Sequence, residues 1–177
     1  MINDIKKISV SEVEIKDIVK RLGTQISHDF EGKDPMFIGL LKGCLPFMSD
    51  LLKYIDIPCT MEYIKVSSYN GTSSTGSVTV KGENPNVLGR DVIVVDDILD
   101  TGRTLKAVGE FLLSLGAKSV TFCVLLDKPE GRIVDMNAQY VGGLVPNEFV
   151  VGYGLDYNEH YRNLPFIGVL KEEIYSK

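Results

Sequence analysis

Apolar and polar positions recur along the chain with two periods, and each change of period marks a new element. After "SEVE" (Ser11 to Glu14), which has the form of a capping box, Val13, Ile15, Ile18, Val19 and Leu22 return at near-helical spacing and predict a first helix. "MFIGLL" (Met36 to Leu41) is a short unbroken apolar run and reads as a buried strand. "LPFMSDLLKYI" (Leu45 to Ile55) reads as a helix that tolerates Pro46 in its first turn. "CTMEYIKVSSY" (Cys59 to Tyr69) alternates and is rich in β-formers, which predicts a strand. The polar stretch "NGTSSTGS" (Asn70 to Ser77) reads equally as a plain linker or as a lid over a site. A turn at "VLGRD" leads into the strand Val92 to Val95, and Leu105 to Leu115 reads as a helix ended by Gly116. "VTFCVLL" (Val120 to Leu126) is a second continuous buried strand that stops at "DKPEGR". Three shorter β-like pieces follow: "QYVGGLVP", "EFVVGYG" and "FIGVL".

Strands separated by helices at these lengths imply right-handed βαβ units. The fold class expected is α/β, with a mainly parallel twisted sheet flanked by helices. The N-terminal piece and the short C-terminal strands are expected to form a small subdomain beside it. With no repeats and no domain-scale linker, residues 1–177 read as a single domain.

Composition narrows the class. Hydrophobic residues at 44% and charged residues at 24% suit a soluble globular protein. A formal net charge of -5 argues against broad nucleic-acid binding. The first residues, "MINDIKKISVSEVEIK", lack the apolar core of a secretory signal, and no apolar run approaches bilayer length. Cys44, Cys59 and Cys123 are odd in number and lack metal-ligand spacing, so they read as reduced thiols of a cytoplasmic protein. No membrane and no nucleic-acid partner is expected.

The candidate chemistry lies in "DVIVVDDILDTGRTL" (Asp91 to Leu105). In open parallel sheets ligands bind beyond the carboxyl ends of the strands. Asp96, Asp97 and Asp100 are loaded there, just before a turn whose Thr101, Gly102, Arg103 and Thr104 offer N–H groups and hydroxyls at a helix N-terminus. Acids repel a phosphate while amides attract it. A ligand with two chemically different parts resolves the conflict: a sugar phosphate, with its phosphate on the turn and its diol, or a shared Mg²⁺, on the acids. Taken singly, Asp100 or Thr101 reads more simply as an N-cap. Lys42-Gly43 and Lys128 place polar groups at two further strand exits and favour a site. A phospho-receiver domain is excluded by the compressed order of Asp97 and Lys128-Pro129. A P-loop is absent, and "VGYGLD" fails the dinucleotide fingerprint because Tyr157 takes the third glycine's place.

"VIVVDDILDTGRTL" resembles the phosphoribosyl diphosphate signature of type I phosphoribosyltransferases. "LLKGCLPFMSDL", "VSSYNGTSSTG", "LLDKPEGR" and "PNEFVVGYGLDYNEHYRNLPFIGVL" extend the resemblance, in order, from about Met36 to Leu170 and narrow it to the hypoxanthine-guanine branch. The resemblance implies the type I phosphoribosyltransferase fold with a hood subdomain, and a Mg²⁺-dependent transfer of phosphoribosyl from phosphoribosyl diphosphate to a 6-oxopurine. It implies that Asp96 and Asp97 engage the ribose hydroxyls and Mg²⁺, with Asp96 reaching less far than the Glu common there. Asp100 becomes the general base near purine N7, and Thr101 to Thr104 the 5′-phosphate loop. Lys42-Gly43 become the pyrophosphate loop, with a cis peptide before Gly43, and Ser68-Tyr69 the lid. Lys128 donates to the 6-oxo group, which suits a lysine's donors. Phe149 stacks on the base and Val150 contacts it through its backbone. Asp156 is a further Mg²⁺ ligand near the base's 2-position, and Arg162 binds pyrophosphate. His28 and His160 are bystanders. A dimer or tetramer of the chain is implied as well. The rivals are a regulator that keeps the fold to control RNA or DNA, disfavoured by the acidic charge, and a relative that prefers xanthine.

Overall fold

A computed structural model of the chain describes residues 1–68 and 78–176. In chain order its main elements are β1 (Ile5–Val10), α1 (Glu12–Asp29), β2 (Met36–Leu41), α2 (Leu45–Leu52), β3 (Thr60–Ser68), β4 (Val78–Lys81), β5 (Asp91–Leu99), α3 (Arg103–Ser114), β6 (Ser119–Asp127), β7 (Tyr140–Leu144), β8 (Val150–Val151), β9 (Ile167–Leu170) and α4 (Glu172–Tyr175). β3, β2, β5, β6 and β7 lie in that order as a parallel sheet, and β4 adds an antiparallel edge beside β3. A smaller antiparallel sheet, β1-β9-β8, forms the hood from the two ends of the chain. The α/β class and the hood match expectation.

Side-chain alternation on the central strands explains the layers. Ile93 and Val95 of β5 join Phe37, Cys123 and Leu125 under α1 and α2, where Ile15, Val19, Leu22, Ile26, Phe47 and Leu51 pack. Val92 and Val94 face the other way with Ile38 and Val124, under Leu105, Val108 and Leu112 of α3. A strand buried on both faces must be apolar at every position, which is why "VIVV" is continuous. α3 ends as "LGAKS" suggests: the Gly116 and Ala117 N–H groups donate to Leu113 (3.0 Å) and Leu112 (3.1 Å) carbonyls.

Three boundaries differ from the reading of the sequence. α2 stops at Leu52 rather than Ile55, α3 starts at Arg103 rather than Leu105, and β5 runs on through Leu99. Two strands, β1 and β4, are additional. Among the described residues no helix is long and apolar enough to cross a membrane.

α1 begins with the expected capping box. The Glu14 N–H donates to Ser11 Oγ (3.3 Å), and the Ser11 N–H donates to Glu14 Oε2 (2.8 Å). Ser11→Ala should lower stability by about 1 kcal/mol. A urea titration checks this: the midpoint should fall at unchanged slope.

Candidate active site

β5 keeps its pairing with β6 through Ile98↔Leu126 and Leu99↔Asp127, whereas its pairing with β2 ends at Gly39↔Val95. Asp96 and Asp97 are therefore residues of the strand itself, not of a loop beyond it, and they sit where one neighbour has departed. The Asp97 N–H donates to Asp96 Oδ1 (3.0 Å), and the Ile98 N–H donates to Asp97 Oδ1 (2.8 Å). Burial, and then the charge of Asp97, holds the Asp96 carboxyl well above the usual range. Burial raises Asp97 too, against the pull of the Ile98 N–H and the Arg162 charge. Two crowded carboxylates short of counter-charge suit a cation. Among the described residues no group of three or more acids, histidines or cysteines forms a closed metal cage. The pair thus fits Mg²⁺, which commonly takes one or two carboxylates and leaves its other positions to water and substrate oxygens.

Gly43 lies directly against this pair. A Cβ there would come within 1.8 Å of Asp97 Oδ2, so no larger residue fits without moving the acid. The non-proline cis peptide is Leu41–Lys42, one residue earlier than the bond before Gly43 that the resemblance implied. The loop then feeds α2, with Pro46 in its first turn. Cys44, at the head of α2, is buried, and burial together with Asp96 and Asp97 pushes its thiol up, so it stays protonated.

Beyond β5, Asp100 and Thr101 are not N-caps. Gly102 holds that position with left-handed backbone (φ 81°) and no side-chain cap, packed against Met136, Val134 and Arg132. The turn is fastened from the far side by the Ile133 N–H to the Thr101 carbonyl (3.0 Å) and by Arg132 Nη1 to the Asp100 carbonyl (2.7 Å). Arg132 also pairs with Asp127 at the end of β6. One guanidinium thus ties two strand ends together without using the Asp100 carboxylate, which has no hydrogen bond among the described residues and has Lys128 Nζ 3.9 Å away.

The segment Gly152 to Arg162 supplies the opposite wall. Tyr153, Asn158, Glu159 and Tyr161 all have left-handed backbone there. The loop is clamped by Tyr153 donating to Asp50 (2.7 Å) and Tyr161 donating to Asp4 (3.0 Å). Non-glycine residues persist in that conformation where surrounding packing over-determines them, and they cluster at functional sites. Arg162 pairs with Asp156 (2.8 Å) and Glu159 (3.5 Å), while Lys42 pairs with Glu159 (2.6 Å). The Arg162 Nε is buried without an acceptor among the described residues. Phe149 and Val150 lead into the same loop. Phe149 is 36% exposed, and Val150 is buried in the hood.

The structure therefore gathers the Lys42-Gly43 loop, Asp96, Asp97 and the Asp156–Arg162 loop around one sheet end, with the Asp100–Thr104 turn and Lys128 beside them. Ser68 ends β3, and Tyr69 lies outside the described residues. Two participants were not foreseen. Glu159 reads as one more polar residue in "DYNEHYR", and its bridging of Lys42 and Arg162 has no local signal. Arg132, in "KPEGR", had one: a lone arginine five residues after the acid that ends a buried strand.

Residues 9–158 match the family model of the phosphoribosyl transferase domain, the class that this sheet and site define. The chain is 52% identical to the hypoxanthine-guanine phosphoribosyltransferase of Streptococcus pneumoniae, over 98% of each chain. It is equally similar, over its whole length, to the bifunctional protein TilS/HprT of Listeria monocytogenes, but spans only 28% of that longer protein. A crystal structure of a hypoxanthine phosphoribosyltransferase from Staphylococcus aureus superposes with a TM-score of 0.95 at 47% identity, covering 100% of this chain and 97% of the other. This chain belongs to the hypoxanthine-guanine phosphoribosyltransferase family.

The raised carboxyls give a prediction with a definite sign. Above its raised pKa, Asp96 is ionised in both folded and unfolded states, and the folded state carries the penalty. The penalty fades as pH falls through the raised value and is gone below the ordinary carboxylate range. Asp96→Asn should therefore raise the Tm of the ligand-free, Mg²⁺-free protein at pH 7. The gain should shrink steadily in scans taken toward pH 4.

Proposed function

We propose that this chain transfers the 5-phosphoribosyl group of phosphoribosyl diphosphate to N9 of hypoxanthine or guanine, giving IMP or GMP and pyrophosphate. The observation that carries the reading is the convergence, at one sheet end, of the acid pair Asp96-Asp97, the left-handed glycine turn before α3, and the cations Lys42 and Arg162. Each suits a different part of one ligand.

The N–H groups of the turn Thr101 to Thr104 open a twelve-residue helix and would take the 5′-phosphate. Asp96 and Asp97 would accept hydrogen bonds from the ribose hydroxyls. Lys42, the Gly43 amide and Arg162, whose Nε lacks an acceptor, would hold the pyrophosphate. Lys128 would donate to the 6-oxo group, Phe149 would stack on the base, and Val150 would touch it through its backbone. Asp156 would lie near its 2-position. Asp96, Asp97 and Asp156 would hold Mg²⁺ together with substrate oxygens, and the ion supplies charge neutralisation to the leaving group. The bond from N9 to the anomeric carbon forms, the bond from that carbon to the pyrophosphate oxygen breaks, and its electron pair leaves with pyrophosphate. Asp100, its carboxylate without a hydrogen bond among the described residues, takes the proton from N7. The Ser68-Tyr69 segment would close over the centre and keep water from the activated sugar.

The same proposal places the protein in the cytoplasm, where its three free thiols would stay reduced, and makes it a dimer or tetramer in light scattering. Nothing in the acidic surface charge invites nucleic acid.

Hypoxanthine, phosphoribosyl diphosphate and Mg²⁺ incubated with the protein should yield IMP, and chelation by EDTA should stop it. Tight phosphoribosyl diphosphate binding without IMP would sink the enzyme reading in favour of a regulator. Asp100→Asn should lower kcat by roughly a hundredfold, and near-normal turnover would remove Asp100 from the chemistry. Glu159 competes with pyrophosphate for Lys42 and Arg162. An exposed pair of this kind is weak and screened by solvent. Glu159→Gln should therefore lower the KM for phosphoribosyl diphosphate by about twofold to fivefold, measured at saturating base.

A further inference from the structure

The hood contains an aromatic arrangement that the proposed reaction leaves unexplained. The Tyr175 ring lies over the Phe149 ring, with centroids 5.0 Å apart and planes 24° from parallel. Tyr157 meets Phe149 edge-on at 5.6 Å and 89°. Phe149 thus has Tyr175 stacked on it and Tyr157 set perpendicular to it, yet it remains 36% exposed.

Tyr175 comes from α4, and the chain entering α4 is anchored by two backbone bonds. The Leu170 N–H donates to the Phe149 carbonyl (2.8 Å), and the Lys171 N–H donates to the Asp4 carbonyl (2.9 Å). Ile174 and Tyr175 pack on the hood's own apolar cluster around Val151, Tyr161, Leu164 and Leu170. Tyr175 also lines a hollow with Lys6, Asn147, Glu148 and Glu173, and no residue of the proposed site lines it. The tyrosine therefore reaches Phe149 from the side of that hollow, and the part of Phe149 that stays exposed is what a ligand could meet.

We propose that Tyr175 is a positioning residue for base binding: it backs Phe149, so that the purine completes a stack of three rings, base on Phe149 on Tyr175. This rests on the reading of Phe149 as the stacking residue. A phenyl ring held by two aromatic neighbours loses little freedom when a base settles on its exposed part, and pre-ordering of that kind appears as affinity. An aromatic pair contributes about 0.5–1.5 kcal/mol beyond its buried area, which sets the size of the effect.

Steady-state kinetics on the full chain tests this. Tyr175→Leu removes the ring but keeps the hood apolar. It should raise the KM for hypoxanthine about threefold to tenfold, with kcat and the KM for phosphoribosyl diphosphate unchanged. Tyr175→Phe should restore the original value. In a Phe149→Leu background, Tyr175→Leu should add nothing. An unchanged KM for hypoxanthine overturns the inference. So does a lowered one, which would put Tyr175 on the face the base needs. Loss of folding in urea titrations, or a parallel change in kcat and both KM values, makes Tyr175 a packing residue only and also overturns it. If the unsubstituted chain forms no IMP, the proposed function falls first and takes this inference with it.

Discussion

The site depends on a mismatch of pairing on the two sides of one strand. β5 follows β6 to Leu99↔Asp127 but loses β2 after Gly39↔Val95. On one side the backbone stays locked in a ladder. On the other side β5 runs free of β2, and the loop that leaves β2 at Lys42 brings Gly43 back against Asp97. A rigid strand end beside an open slot is what a pair of acids needs if they are to be fixed and still reach a ligand. Gly43 is the other half of the constraint, because a side chain there would push Asp97 away.

From that slot outward the remaining parts are fixed by hydrogen bonds and an ion pair to the surrounding scaffold. Arg132 fastens the Asp100 turn to the end of β6 through a carbonyl and a carboxylate. It therefore fixes backbone and leaves the Asp100 carboxylate available. The Gly152–Arg162 loop is clamped by tyrosine hydroxyls to α2 and to the N-terminal segment. The hood thus spans both ends of the chain, and its position over the sheet decides where Phe149 and Arg162 stand.

Much of this was legible in the sequence, for definite reasons. Continuous apolar runs such as "VIVV" and "VTFCVLL" can only be strands buried on both faces, and the helical stripe after Ser11 can only be an amphipathic helix. The acids after "VIVV" and the "TGRT" turn were legible because charge at the end of a buried strand has few structural uses. What escaped was set at long range. β4 offers four residues and is defined by its pairing to β3, and β1 becomes a strand only by meeting β9 at the far end of the chain. The true end of β5 depends on which neighbour stays paired, which no local pattern records. The bridging role of Glu159 likewise follows from the meeting of segments more than a hundred residues apart.

The charges around the site are poised against each other rather than matched. Asp96 and Asp97 are crowded acids whose ionised forms are disfavoured where they stand. A few residues away, Lys42 and Arg162 share the carboxylate of Glu159, and Arg162 also holds Asp156. Each group would be better satisfied by a partner of opposite sign, and the protein supplies only part of that. A ligand carrying a phosphate, a diphosphate and a bound cation brings the missing charges in the right order. In the proposed reaction the cation would go to the acids and the diphosphate to the lysine and arginine. Such a site lowers the stability of the empty protein and returns it on binding. The acids beside an anion cradle are therefore two ends of one recognition surface. Its internal repulsion favours a ligand that is itself divided into unlike parts over any simple anion.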